Sequence, residues 1–205
     1  ADDHCQRYQG LSHVVGDTVR KAIDQTWGMV LMCEGEIVDA RFSKCCGGVM
    51  ETFSTCWEDK EYPYLRSLPD TPGHDPGGDP FCNTSDEGIL SQVLNDYDLE
   101  TKDFYRWTVK YTREEVSALV AKRSGIDFGI IEDLVPVLRG GSGRICKLKV
   151  VGTKKTMVVG KELIIRRFLS ESHLKSSAFD VNWEGGTLIL EGKGWGHGVG
   201  LCQIG

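Results

Sequence analysis

Residues able to bind or react gather at three places in the chain. The first is the run Gly194-Trp195-Gly196-His197-Gly198-Val199-Gly200-Leu201-Cys202-Gln203. Its alternate glycines invite comparison with a dinucleotide fingerprint, but that motif needs a strand before it, a helix after it and an acid about 20 residues further on, and the context here does not fit. A better physical reading is a backbone that curls around His197 and presents the imidazole and backbone N–H groups to a polyhydroxyl or anionic ligand. Plain structural packing is the competing reading.

The second place is Ser43-Lys44-Cys45-Cys46-Gly47-Gly48-Val49-Met50-Glu51, where an apolar stretch breaks at two glycines and a carboxylate follows. Glycoside chemistry needs a carboxylic acid held in a partly apolar site, so that it can protonate a leaving oxygen. Spacing alone favours a solvated Glu51 over a catalytic one. The third place is Asp2-Asp3-His4-Cys5, where carboxylates, imidazole and thiol can all ligate zinc. Adjacent ligands are geometrically awkward, so a metal there would need further ligands from elsewhere, and a disulfide or a free thiol is the alternative.

Cysteines stand at 5, 33, 45, 46, 56, 82, 146 and 202. The adjacent Cys45 and Cys46 cannot easily bridge each other, so they need separate partners, act as thiols or bind metal. His13, His74 and His173 sit in polar contexts that predict solvated surface. Lys147, Lys149, Lys154, Lys155, Arg166 and Arg167 concentrate positive charge that could face an anionic polymer or simply be solvated. Trp27, Trp57, Trp107, Trp183 and Trp195 could stack on sugar rings or anchor a core.

The elements that must position these residues are legible from periodicity. Residues 11–27 carry a mixed pattern that starts as strand and continues as helix. Met29 to Phe42 reads as a hairpin around Glu34-Gly35-Glu36. Residues 63–81 hold five of the six prolines and predict irregular backbone. Trp107–Tyr111 alternates as a strand, and Thr112 with Glu115 forms a capping box for a helix over 113–124, ended by Gly125. Strands follow at 130–131 and 134–138, then 146–151 with 157–159 as a hairpin, then a helix over 160–169, then a hairpin of 179–183 with 187–191. The fold class is α+β, rich in β-hairpins with a few helices, arranged either as two lobes flanking a cleft or as a single barrel-like sheet. The lobes would be 1–62 with 170–205, and 105–169, joined by loop 63–104.

Composition sets the outer bounds. The net charge of −6 excludes a basic nucleic-acid footprint as a property of the whole chain. At 40% hydrophobic and 26% charged the chain is ordinary for a globular protein, and no stretch reaches the roughly 18 apolar residues of a membrane helix. Glycine is the outlier, with 25 in 205 residues against a usual share of about 7%. The chain starts at Ala1 without a signal-peptide pattern, which suggests a mature product or a fragment.

Gly47-Gly48 with Glu51, Ser142-Gly143-Arg144, Val151-Gly152-Thr153, Leu174-Lys175-Ser176-Ser177-Ala178-Phe179 and the terminal Gly-Trp-Gly-His-Gly-Val-Gly run resemble, in order, the stage II sporulation protein D family, which includes the amidase-enhancer proteins. The resemblance spans almost the whole chain. It implies a peptidoglycan lytic transglycosylase acting outside the cytoplasmic membrane on glycan strands stripped of stem peptides. In that chemistry one glutamic acid protonates the glycosidic oxygen and the C6 hydroxyl of muramic acid closes on the anomeric carbon, leaving a 1,6-anhydro sugar.

The same resemblance implies that the main acid lies in a segment upstream of His4-Cys5-Gln6-Arg7-Tyr8, so that this chain is the carboxy-terminal portion of the enzyme. Glu51 and His197 would support catalysis, while Gly47, Gly48, Gly196, Gly198 and Gln203 would hold the glycan. Some relatives bind zinc through cysteine and histidine near the segment matching His4 and Cys5, which makes those residues the metal candidates. A cell-wall amidase is the implied protein partner, and a non-catalytic wall-binding amidase enhancer is the alternative function. Phe42-Ser43-Lys44-Cys45-Cys46-Gly47-Gly48 departs from the family's Tyr-His-Ser-Thr-Ser-Gly-Gly run, replacing hydroxyls with two thiols and a lysine.

Overall fold

The computed structural model describes residues 16–94 and 103–205. They fall into two units, one ending at Asp39 and the other running from Ala40 to Gly205. In the first unit, helix α1 (Asp17–Thr26) precedes strands β1 (Met32–Cys33) and β2 (Glu36–Ile37). Glu34 and Gly35 join them at positive φ, 53° and 87°, the left-handed turn that matches the twist of paired strands. The predicted hairpin is therefore present, but only its innermost residues pair as strands. Of the predicted strand-then-helix over 11–27, residues 17–26 are helix and 11–15 lie outside the described residues.

The second unit opens with β3 (Phe42–Ser43) and the single helical turn α2 (Phe53–Cys56). The proline-rich stretch that follows is irregular, as its composition predicts, with one 3-10 turn at Pro72–His74. Helix α3 (Glu87–Val93) starts where the Asp86 carboxylate accepts from the backbone N–H groups of Gly88 and Ile89. Strand β4 (Arg106–Thr112) leads into α4 (Arg113–Ser124), where Thr112 and Glu115 close the expected capping box and Gly125 ends the helix in the left-handed conformation. Then come β5 (Ile131–Arg139), β6 (Ile145–Gly152), β7 (Thr156–Val159), α5 (Glu162–Phe168), β8 (Phe179–Glu184), β9 (Thr187–Lys193) and β10 (Leu201–Cys202).

Strands β4-β9-β8 and β5-β6-β7 form two antiparallel three-stranded sheets, β3 pairs with β10 in parallel, and β1 with β2. The α+β, hairpin-rich class is thus observed, and no closed barrel forms among the described residues. Pro136 lies in β5, an edge strand with a register shift beside it, where a missing backbone donor disturbs the ladder least. Val116 and Val120 of α4, Leu148 of β6, Ile165 of α5 and Leu188 and Leu190 of β9 meet in one apolar core, each fully buried. Burial of each such side chain contributes about 1.5–3 kcal/mol.

Candidate functional site

The two glycine-rich segments meet backbone to backbone. Cys45 and Trp195 exchange N–H···O bonds of 3.0 and 2.8 Å, Glu51 N–H donates to Gly198 O at 2.8 Å, and Gln203 N–H to Ser43 O at 2.9 Å. Glycine is required by this closeness, because a Cβ on Gly47 would lie 2.7 Å from the Gly194 nitrogen, and one on Gly198 would lie 2.3 Å from the Arg144 guanidinium carbon. Both glycines also hold positive φ, 81° and 74°.

Beneath this contact lies a buried polar chain. The Glu51 side chain is wholly inaccessible and accepts six hydrogen bonds: from Thr52 N–H, Thr52 and Thr55 hydroxyls and Gly141 N–H on Oε1, and from Ser142 N–H and hydroxyl on Oε2. The Ser142 hydroxyl donates to Glu51 at 2.6 Å and accepts from Arg144 Nη1 at 2.9 Å, linking carboxylate to guanidinium. Arg144 is itself fully buried and donates to the carbonyls of Cys46 and Gly196 at 3.1–3.3 Å. The Glu51 carboxylate, the Ser142 hydroxyl and the Arg144 guanidinium are each hydrogen-bonded, as buried charges require.

His197 stands beside it, largely buried, with its ring edge-on to Trp57 at 4.8 Å. Burial first, then the cations Arg144, Arg166 and Arg41, pushes its pKa down from 6.5 to about 3. Its Nδ1 accepts from Val199 N–H at 3.0 Å, so the neutral ring has that lone pair engaged. Arg41 stacks over Trp57 at 3.9 Å.

A cleft of about 360 Å³ opens on the other side of Gly143 and Lys193, lined also by Arg106, Arg139, Asp180 and Glu191. Arg139 is committed to Asp180 at 3.1 Å, and Arg106 to Gly47 O at 3.1 Å. Among the described residues the Lys193 ammonium has no hydrogen-bond or ion-pair partner, and burial, reinforced by Arg106 and Arg144, pushes its pKa down. A half-buried ammonium beside two arginines is an anion-seeking arrangement.

A second cluster sits among apolar neighbours. Cys46, Asp70, Cys82 and Cys202 are all buried, with ligand atoms within 4.8 Å of one another, and this set could hold a metal ion.

The comparisons with known proteins bear on this geometry. A family model described as a domain of unknown function, DUF8618, matches residues 51–200. The chain belongs to this family. It is also 23% identical, over 224 aligned residues, to the amidase enhancer of Bacillus subtilis (strain 168), with 98% of this chain aligned. The chain spans 30% of that relative's length.

Glu51, Gly196, His197 and Gly198 fall inside the stretch that defines the family, while Gly47, Gly48 and Gln203 flank it. The structure brings these residues together through the β3/β10 pairing, but not as one solvent-facing row. Glu51 is enclosed instead of solvated, Gly47 and Gly48 are buried, and only Gln203 has an exposed side chain. His4 and Cys5 lie outside the described residues. Of the basic stretch, Arg166 is buried against Glu162 at 3.4 Å and Lys154 pairs with Asp127 at 2.6 Å, while Lys147, Lys149, Lys155 and Arg167 are exposed. Of the tryptophans, Trp107 is a core anchor, its indole N–H donating to Gly194 O at 3.0 Å, and Trp195 lies under Lys44 and Lys175.

Sequence reasoning singled out Ser142-Gly143-Arg144 as a motif without a role for its side chains. The signal was an arginine entering an apolar strand, which has to find buried acceptors. Lys193, Arg106 and Arg139 carried no local signal, since each reads as an ordinary strand-end charge.

Proposed function

We propose that this chain is a cell-wall-binding module of the amidase-enhancer kind, which acts outside the cytoplasmic membrane, holds glycan strands and supports a wall amidase. The observation that carries this reading is the similarity to an amidase enhancer along 98% of the chain. The Lys193 cleft supports it physically. A glycan strand whose stem peptides have been removed carries free lactyl carboxylates, and the Lys193 ammonium, flanked by Arg106 and Arg139 and without an ion-pair partner among the described residues, suits such a ligand.

Strand cleavage to 1,6-anhydro products has less support. Glu51, which the resemblance puts at the cleft, has its carboxylate enclosed by six donors and closed to solvent, and the Nδ1 of His197 is occupied. Neither group as placed can reach a glycosidic oxygen, so cleavage would depend on the acid that the resemblance puts upstream of His4.

The test is co-sedimentation of the chain with purified sacculi, together with the rate at which an N-acetylmuramoyl-alanine amidase clears them. Binding that weakens several-fold in Lys193→Glu, with faster clearing in the presence of the wild-type chain, is expected. Absence of both binding and stimulation overturns the proposal, and release of anhydro-ended sugars by the chain alone replaces it with the transglycosylase reading.

A further inference from the structure

We propose that Cys46, Asp70, Cys82 and Cys202 form a structural zinc site that staples the proline-rich loop to the glycine-rich terminal run. Independently of the functional reading above, the proposal rests on where these side chains lie. Cys46 follows β3, Asp70 and Cys82 sit at the two ends of an irregular stretch, and Cys202 belongs to β10. The chain positions are far apart, with separations of 24, 36 and 156 residues from Cys46. No run of sequence would place them together by chance of local structure.

The distances suit a tetrahedral ion. Sulfurs bound about 2.3 Å from zinc lie about 3.8 Å apart, and a sulfur and a carboxylate oxygen about 3.5 Å apart. Cys46 Sγ is 3.6 Å from Cys82 Sγ and 3.3 Å from Asp70 Oδ2. The described cysteines are all free thiols, with no pair bonded.

Two further observations point to a cation. Backbone N–H groups are aimed at the sulfurs: Cys46 N–H at Cys202 Sγ (3.2 Å), Gly205 N–H at Cys202 Sγ (3.4 Å) and Gly48 N–H at Cys46 Sγ (3.4 Å). Such donors orient thiolates and offset their charge around a bound metal. Asp70 is 8% exposed yet has no lysine, arginine or histidine paired with it among the described residues. A buried carboxylate without a cation is costly, and a metal removes that cost. Leu94, Phe104 and Ile204 surround the cluster and keep water out.

Soft thiolates with one carboxylate in a closed apolar setting favour zinc over the hard cations magnesium and calcium. The physical role follows from the loop. Residues 70–82 are largely irregular backbone with prolines at 72, 76 and 80, so an ion joining Asp70 and Cys82 to Cys202 of β10 would tie down both ends of that stretch where regular structure does not. The Cys45 side chain is buried beside the cluster but lies outside this ligand set.

The experiment uses the full chain purified under reducing, chelator-free conditions. Elemental analysis is expected to find about one zinc per chain. Exchange with cobalt is expected to give tetrahedral d–d bands with strong thiolate charge transfer in the wild-type protein. Cys82→Ser and Cys202→Ser should lose that charge-transfer intensity, while Cys5→Ala and Cys33→Ala keep it. Because the serine variants can fail to fold, the wild-type cobalt spectrum and intact mass decide independently. A Cys46–Cys82 disulfide in the purified protein, a cobalt form without thiolate bands, or intensity that follows Cys5 and not Cys82 overturns the proposal.

Discussion

The Ala40–Gly205 unit is held together in two different ways. Between Arg106 and Lys193, regular strands and helices bury aliphatic side chains, and Val116, Leu148, Ile165 and Leu188 are wholly inaccessible. Around residues 41–82 and 194–205 there is little regular structure, and beside a small apolar cluster of Phe53, Leu65 and Val199 the interior holds the Glu51 carboxylate, the Arg144 guanidinium, thiols and glycine backbone. The first region tolerates imprecision, because apolar contact is non-directional. The second does not, since each buried polar group is stabilising only while its partners stay in place. Single substitutions are therefore expected to be felt more sharply in the second region.

The sharpest way to break that contrast is Arg144→Ala. It leaves the Ser142 hydroxyl and the carbonyls of Cys46 and Gly196 without their buried donor and removes the guanidinium that Ser142 links to Glu51, and a loss of roughly 3–5 kcal/mol in chemical denaturation is expected. A loss under about 1 kcal/mol would mean the polar interior adapts as readily as an apolar one. Leu148→Ala probes the other region, with about 2–5 kcal/mol expected from lost transfer energy and the cavity left behind. Restoring part of this with Leu148→Met, while Arg144→Lys restores little, would sharpen the comparison.

Glycine positions give a smaller, cleaner pair. Gly185 at φ 55° has open space around its missing Cβ, so Gly185→Ala should cost only the left-handed backbone preference, about 1–2 kcal/mol. Gly198→Ala carries the same preference plus a clash with the Arg144 guanidinium, and should lower the melting temperature clearly further. Equal shifts for the two variants would show that the polar interior has slack.

A further test of the polar region is a pH dependence. With its pKa lowered to about 3 in the fold, His197 stays neutral while the unfolded chain takes up a proton near pH 6.5. Between those values the unfolded state binds more protons, so stability is present above about 6.5 and is lost as pH falls toward 3. His197→Asn should flatten that slope by one proton, measured as denaturation midpoint against pH.

Strands, hairpins and the capped helix α4 were legible because their signals are local. The Thr112 and Glu115 box, Gly125 and the alternating patterns of β4, β8 and β9 each state their conformation within a few residues. The glycine-rich terminal run was legible as a special backbone, yet its purpose was not. Its glycines face Cys45, Ser43, Arg144 and Arg41, residues whose approach no periodicity announces.

While the short elements α2, α3 and β10 went unread, sequence alone determined the longer strands and the helices α4 and α5, that residues 63–81 would be irregular, and that Gly47, Gly48 and the terminal glycines mark special backbone. Each follows from steric and hydrogen-bonding rules acting over a few bonds. Only the tertiary structure decided that Glu51 is enclosed and bonded through Ser142 to Arg144, and that Lys193 lines a cleft with no ion-pair partner among the described residues. It alone gathered Cys46, Asp70, Cys82 and Cys202 into one buried cluster. Those outcomes depend on which groups burial forces together across long stretches of chain, where the free energy of an unpaired charge selects the partner.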